Sequence, residues 1–419
     1  MILVSTSTVK ITPTGPYLPC FVSGNPLRSE KTNKVHDCFE CTVIVFKINN
    51  KLMVWGEIDI IEIDFRLADT MRKSVQKMYN VPYENIIIGT IHTHTGPETL
   101  EENAFGMDEV KVVPGYREFL VKKFEEAVSE CFNKGFTQVT PYVRNTVIDG
   151  LYGNRNGKGG IEDKNILEIK FVDKNGNIVA GGFNIACHAT VNDPMSVELT
   201  TDIIGYLSRT IEKEWGVSPL MMPGASGDMG NRQYRKKAGF DEIKRLGDAI
   251  IAQLRMAGDY KPVLFSDIKI DKYHYLDEFD KSNDTMENLK KEISEDVAKL
   301  KIEKDFDQRK LLISGLTFLK QQYNEKHVKN EFDASIIRLG DLEICQIPAE
   351  LFSCFGLQIK AASKAKYCII WGYTNGMVGY MVRSEEYETC YEGRSTKFRQ
   401  GEPEKITEDL VELIKKRYK

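Results

Sequence analysis

Histidine is scarce in this chain, at six residues among 419. Long apolar runs are scarcer. No stretch approaches the ~20 apolar residues of a membrane-spanning helix, so no transmembrane segment is expected. An excess of positive charge is missing too. The 57 basic and 61 acidic residues leave a net charge of -4, so no basic field invites nucleic acid. The nine cysteines are odd in number and scattered. That pattern suits reduced thiols in a cytoplasmic protein better than a disulfide framework. The Cys38-Phe39-Glu40-Cys41 pair has no second pair to complete a metal site, and a structural role is expected. Residues Met1 to Ser7 lack a basic start followed by a long apolar core, so no secretion signal is expected there. No internal repeat, low-complexity tract or dividing linker interrupts the chain. One domain over 1–419 is expected.

Hydrophobic residues make up 42% of the chain, ample for a sizeable core. The most informative stretch runs from Ile86 to Pro97. The β-branched run Ile86-Ile87-Ile88 reads as a buried strand. It leads into His92-Thr93-His94 and breaks at Gly96-Pro97. Alternation along a strand would point His92 and His94 the same way. Two imidazoles on one face suit a metal or an acid/base pair. The plainer alternative is a pair of satisfied polar residues capping a strand.

Around this stretch the pattern is α/β. Cys41–Ile48 and Leu52–Trp55 read as strands joined by Asn49-Asn50, and Phe65–Tyr79 as a helix. A second helix opens at Pro114 and ends at Gly135. Gln138–Val147 is expected to be extended. A Gly-rich loop follows from Gly150 to Gly160, mobile or moulded round a ligand. Ile166–Val172 and Ile178–Ala186 form a hairpin that leads into Cys187-His188-Ala189-Thr190. Thr201-Asp202 is expected to cap a helix reaching Trp215. Charge rises between about 280 and 330, where leucines recur at helical spacing, so a helical hairpin insertion is expected there. Its charges suit a solvated face. Pro348-Ala349-Glu350 is expected to begin a helix. The fold class is therefore layered mixed β-sheets flanked by helices.

Three segments thus end in residues able to bind a metal: His92 with His94, His188, and Glu350. His36, His274 and His327 lie in charged or irregular surroundings and invite no such reading. Catalytic zinc takes three or so N/O ligands and keeps a position for water.

Seven motifs occur in a set order. They are Lys10-Ile11-Thr12-Pro13; Thr90 to Pro97; Asn154-Arg155-Asn156; Cys187 to Thr190; Gly227-Asp228-Met229-Gly230-Asn231; Pro348 to Phe352; and Asn375 to Thr396 with Tyr380, Glu385-Glu386-Tyr387 and Tyr391-Glu392-Gly393. In these the chain resembles the neutral/alkaline non-lysosomal ceramidase family, over most of its catalytic domain. The resemblance implies one zinc per chain, held by His92, His188, Glu350 and Tyr380. It places His94, Arg155 and Tyr391 around the reacting carbonyl. The implied reaction is hydrolysis of an N-acyl amide, ceramide-like or another fatty-acyl amide, with water activated by the metal. Arg155 and Tyr391 would stabilise the oxyanion, and His94 would pass the proton to the leaving amine. By the bland reading, Arg155 orders its loop and Tyr391 is a core aromatic. Asp228 is expected to brace its turn.

The chain departs from the family at Asp228-Met229-Gly230-Asn231, where the usual motif is Asp-Val-Ser-Pro-Asn. Loss of the serine hydroxyl favours water over a serine nucleophile. The family's C-terminal β-sandwich domain is not expected after the tyrosine segment. The partner expected is a small-molecule N-acyl amide or lipid, as in sphingolipid metabolism. Self-association is left open. A peptidase or esterase on the same zinc site, or a non-catalytic binding protein on the same fold, are the other readings.

Overall fold

Along Glu40–Ile48 the apolar residues divide by parity. Val43 and Val45 join one core, while Ile44, Phe46 and Ile48 join another. A strand presents alternate side chains to opposite faces, so one apolar strand serves two layers at once. The same division runs through the central strands and sets the architecture. The structure is a computed structural model, and it describes residues 1–25, 27–100, 111–157 and 159–417.

Among the described residues, three larger sheets share one interior. The first has the order Ile86–Thr90, Lys51–Ile58, Glu40–Ile48, Ile2–Lys10, Thr137–Gln138. The second runs Leu220–Pro223, Ile178–Ile185, Asn165–Val172, Thr140–Val147, Lys261–Pro262. The third runs Lys269–Asp280, His327–Leu339, Leu342–Gln346, Tyr367–Trp371. Large aromatics join them in the shared core. Phe46 meets Phe171 edge-on at 5.2 Å, and Trp55 meets Trp371 at 5.8 Å. Such edge contacts add to simple area burial.

Helices cover the outer faces. Phe65–Tyr79 and Tyr116–Lys134 pack on the first sheet, Asp202–Trp215 and Phe240–Arg255 on the second, Ser353–Ala362 and Glu402–Lys416 on the third. This is the layered α/β fold expected from the sequence. The helix over Phe65–Tyr79 has the expected bounds, because Asp64 caps its start and Asn80, in a left-handed conformation, stops it.

Each of the three sheets also contains a parallel pair: Lys51–Ile58 with Ile86–Thr90, Ile178–Ile185 with Leu220–Pro223, Leu342–Gln346 with Tyr367–Trp371. Chain segments leaving the carboxyl ends of these strands cross between sheets. Thr93 bridges to Ala189, and Gly89 bridges to Thr374. Clefts at the carboxyl ends of such strands are where ligands bind in α/β folds.

The insertion is a helical hairpin, Asn283–Ile302 and Phe306–Asn324, carried on the antiparallel ribbon of Lys269–Asp280 and His327–Leu339. It docks on the short helix Tyr391–Ser395. The Asp296 carboxylate accepts from Arg394, and Gln322 Nε2 donates to the carbonyls of Arg394 (3.3 Å) and Thr396 (3.4 Å).

Three local expectations need correction. The Ile86 strand stops at Thr90, so strand alternation does not set the direction of His92 and His94. Glu350 does not start a helix. It lies on the two-residue strand Glu350–Leu351, and the helix begins at Ser353. Pairing with Tyr380–Met381 claims its backbone first. Thr201 stands at the start of Asp202–Trp215 without capping it, because its hydroxyl donates to Asp37 (2.6 Å).

Candidate metal centre

His92 adopts a left-handed backbone, φ 57°. A non-glycine residue pays for that conformation, and such strain persists only where the surroundings hold it. Here the His92 N–H donates to Ile60 O (3.1 Å) and the ring Nδ1 contacts Ile61 O at 2.9 Å. The turn swings His92 and His94 onto one another, so the pair converges through a loop and not through a pleat. Tyr373, also at φ 57°, lies against the His92 ring with centroids 4.3 Å apart. Its hydroxyl meets Ser226 Oγ at 2.8 Å.

All three imidazoles of the site are fixed alike. Nδ1 of His92 faces Ile61 O, Nδ1 of His188 faces Ser226 O (2.6 Å), and Nδ1 of His94 faces Gly24 O (3.2 Å). A carbonyl only accepts, so each Nδ1 carries the hydrogen and each Nε2 keeps a lone pair. Those lone pairs converge. Nε2 of His92 stands 3.2 Å from that of His188 and 3.1 Å from that of His94. Glu350 Oε2 lies 3.2 Å from His92 Nε2 and 3.1 Å from His188 Nε2. Gly24 is required at its place, since a Cβ there would stand 2.7 Å from the His94 Cα.

Electrostatics keep these groups in metal-ready forms. Burial pushes His188 down to about 3, helped by the charge of Arg155. Burial and the two neighbouring imidazoles hold His94 well below the ordinary histidine value. Glu350 Oε2 is fully buried and has no hydrogen donor. Four lone-pair atoms, one of them an orphaned carboxylate oxygen, meet around one point with nothing positive between them. A buried polar atom without a partner needs an explanation, and a cation supplies it. His92, His94 and His188 are the group among the described residues able to hold a metal ion.

The opposite side of the cleft carries the other residues singled out in the sequence. Tyr380 pairs with Glu350 across the short parallel strands. Its hydroxyl accepts from Arg155 Nη2 at 3.1 Å. Burial, then the charge of Glu350, raises the Tyr380 phenol well above its ordinary value. Tyr391 stands edge-on to Tyr380, with centroids 6.3 Å apart, and burial pushes it up to about 12. Arg155 is buried, and its Nη2 lies 2.6 Å from Glu392 Oε1. The Gly-rich loop is thus moulded at Arg155 around the cleft. Its Lys158 lies outside the described residues. Asp228 accepts from Ser353 N (2.7 Å) and Asn154 Nδ2 (3.0 Å), and burial raises it to about 6. It braces the turn, as expected.

Sequence reasoning missed Glu392, Tyr373 and Arg28. Glu392 had a signal, as the middle residue of Tyr391-Glu392-Gly393. Arg28, whose Nη2 donates to the carbonyls of Ser23 and His94, sits in an irregular segment with no pattern to mark it.

Fold and site together define a layered α/β protein with a histidine-rich, metal-ready cleft at its strand ends. No protein-family model and no curated protein matches the chain by sequence. Solved structures do match. Neutral ceramidase from Pseudomonas aeruginosa aligns with a TM-score of 0.75 at 16% identity, covering 99% of this chain and 74% of that one. A ceramidase complexed with C2 aligns at 0.76 and 15% identity, covering 100% of this chain and 75% of that one. The chain therefore has the neutral ceramidase fold along its whole length, as the order of its motifs implied.

Proposed function

We propose that this protein is a zinc-dependent amidohydrolase that cleaves an N-acyl amide of ceramide-like or other fatty-acyl type. The observation that carries the proposal is the convergence of the Nε2 lone pairs and the orphaned Glu350 oxygen, with each Nδ1 committed to a carbonyl. His92, His188 and Glu350 would hold the ion, with Tyr380 as a fourth donor beside Glu350. When bound, zinc would polarise the carbonyl and acidify water, from ~15.7 toward about 7 in favourable cases.

The rest falls to the chain's own groups. Water adds its oxygen to the acyl carbon, the C–N bond breaks, and a carboxylate and an amine result. His94 is the least buried of the three histidines, so it faces the open side. In this reading it takes a proton from the attacking water and gives it to the leaving nitrogen. Arg155 and Tyr391 donate to the oxygen that gains charge, an effect worth ~3 kcal/mol per donor. Glu392 keeps the Arg155 guanidinium aimed. The fold likeness to ceramidases supports an amide as substrate, and burial at roughly 0.8 kcal/mol per CH₂ would favour a long acyl chain.

The test is elemental analysis of protein purified without added metal, followed by rates on N-acyl amides of increasing chain length. About one zinc per chain and rates that climb with chain length are expected. A folded, metal-free chain that cleaves nothing, or a preference for charged dipeptides over every acyl amide, would overturn the proposal.

A further inference from the structure

Beside the metal-ready cluster, the turn after Gly230 gathers more positive charge than the site uses. Met229–Gly230 pairs with Gly153–Asn154, and His188 N donates to Met229 O at 3.1 Å. This ties the segment from 229 onward to both Arg155 and His188. Three guanidiniums gather there, Arg155 from beside the paired strand and Arg232 and Arg235 from the turn itself. Arg155 is neutralised by Glu392 at 2.6 Å. Arg235 Nη1 donates to a neutral carbonyl, Thr190 O, at 3.1 Å. Arg232 has no hydrogen bond or ion pair among the described residues, although Arg155, Glu392 and Tyr380 are all close enough to act on its charge. Arg232 reaches solvent, so it sits at the rim of the cleft and not in the core.

Gly230 leaves room in front of it. A Cβ there would make only ordinary contacts, 3.7 Å from the His188 Cβ and 3.9 Å from the Arg155 Cδ. The backbone at Gly230 is not left-handed, so no turn demands glycine, and the missing side chain leaves space beside His188 and Arg155.

We propose that the amine half of the substrate carries an anionic group, as in an N-acyl amino acid, and that Arg232 receives it. This inference rests on the amidohydrolase reading and names its substrate class. A guanidinium prefers a planar carboxylate, which it can bind through two N–H donors. The scissile amide of an N-acyl amino acid lies one carbon from its carboxylate. A group held at the metal-ready cluster would therefore place that carboxylate close by, on the rim. A neutral amino alcohol offers Arg232 nothing comparable.

Two probes of equal acyl length decide the matter, N-lauroylglycine and N-lauroylethanolamine. Binding is measured by calorimetry on the metal-free full chain, where no turnover occurs, and kcat/KM on the zinc-loaded chain. The expected result is at least tenfold tighter binding and a matching kcat/KM preference for N-lauroylglycine. Arg232→Gln should collapse both ratios toward one, mainly through KM, and Arg232→Lys should restore part of them. Equal binding of the two probes to the wild type, or a ratio unmoved by Arg232→Gln, overturns the inference. Hydrolysis of both probes at equal rates would sink it while sparing the amidohydrolase reading. Selective binding without hydrolysis of either probe would do the reverse.

Discussion

On one side of the cleft, the rings of His92, His94 and His188 are each fixed by a backbone carbonyl: Ile61, Gly24 and Ser226. On the other side, Arg155, Tyr380 and Tyr391 are fixed by side chains: Glu392 on Arg155, Arg155 on Tyr380, and the ring of Phe318 from the helical hairpin against Tyr391 at 6.4 Å. Backbone partners survive most side-chain mutations, so the histidine side should fail chiefly when a ligand itself is lost or when Gly24, which leaves no room for a Cβ beside His94, is replaced. Side-chain partners do not survive, so the arginine side should be breakable from a distance.

The largest effect is expected on the histidine side. His92→Ala combined with His188→Ala should abolish metal binding and reduce turnover to background. His94→Gln should keep the metal and lose roughly 10²–10⁴-fold in turnover, the usual share of a general acid/base. Metal content by elemental analysis separates the two. If His94→Gln also empties the site, His94 is a ligand and the proton carrier must be sought elsewhere.

Glu392→Gln is the next step down. It leaves the Arg155 charge buried without its ion pair, a change that costs about 3–5 kcal/mol of stability for a buried pair. Loss of one oxyanion donor costs roughly 10²–10³ in kcat. The variant should therefore melt earlier and turn over poorly, yet retain its metal. Metal loss in Glu392→Gln would show that the two sides are a single unit.

Tyr380→Phe straddles the comparison, because Tyr380 pairs with Glu350 and bonds to Arg155. As a ligand, its loss should weaken metal affinity and remove most turnover. A supporting role outside the ligand set would cost roughly 10–100-fold in affinity or activity. Affinity and turnover both near wild type would reduce Tyr380 to packing. A metal titration paired with an amidase assay distinguishes these outcomes.

The smallest effect concerns Glu62 in the metal-free protein. Its carboxyl is raised by burial and by Glu350 from 4.5 to about 8. Between those values the folded chain holds a proton that the unfolded chain releases, so stability falls as pH rises. The contribution is complete below about 4.5 and gone by about 8. Glu62→Gln should flatten the decline of Tm between pH 5 and pH 8, two pH settings that lie inside this window. An unchanged slope would show that Glu62 does not titrate there.

Periodicity in the sequence determined a great deal. The strand at Glu40–Ile48, the helix at Phe65–Tyr79 and the hairpin of Asn165–Val172 with Ile178–Ile185 were legible because each is fixed by local pattern and short-range capping. Residue type and motif order also drew attention to His92, His188, Glu350 and Arg155. The tertiary structure alone decided how they meet. His92 turns through a left-handed backbone that no propensity favours, Glu350 lies on a two-residue strand claimed by Tyr380–Met381, and Glu392 reaches Arg155 across 237 positions of chain. Local sequence encodes the free energy of single elements. Loop closures, pairings of two residues and buried ion pairs draw theirs from partners far along the chain, and those partners are adjacent only once the three sheets have packed.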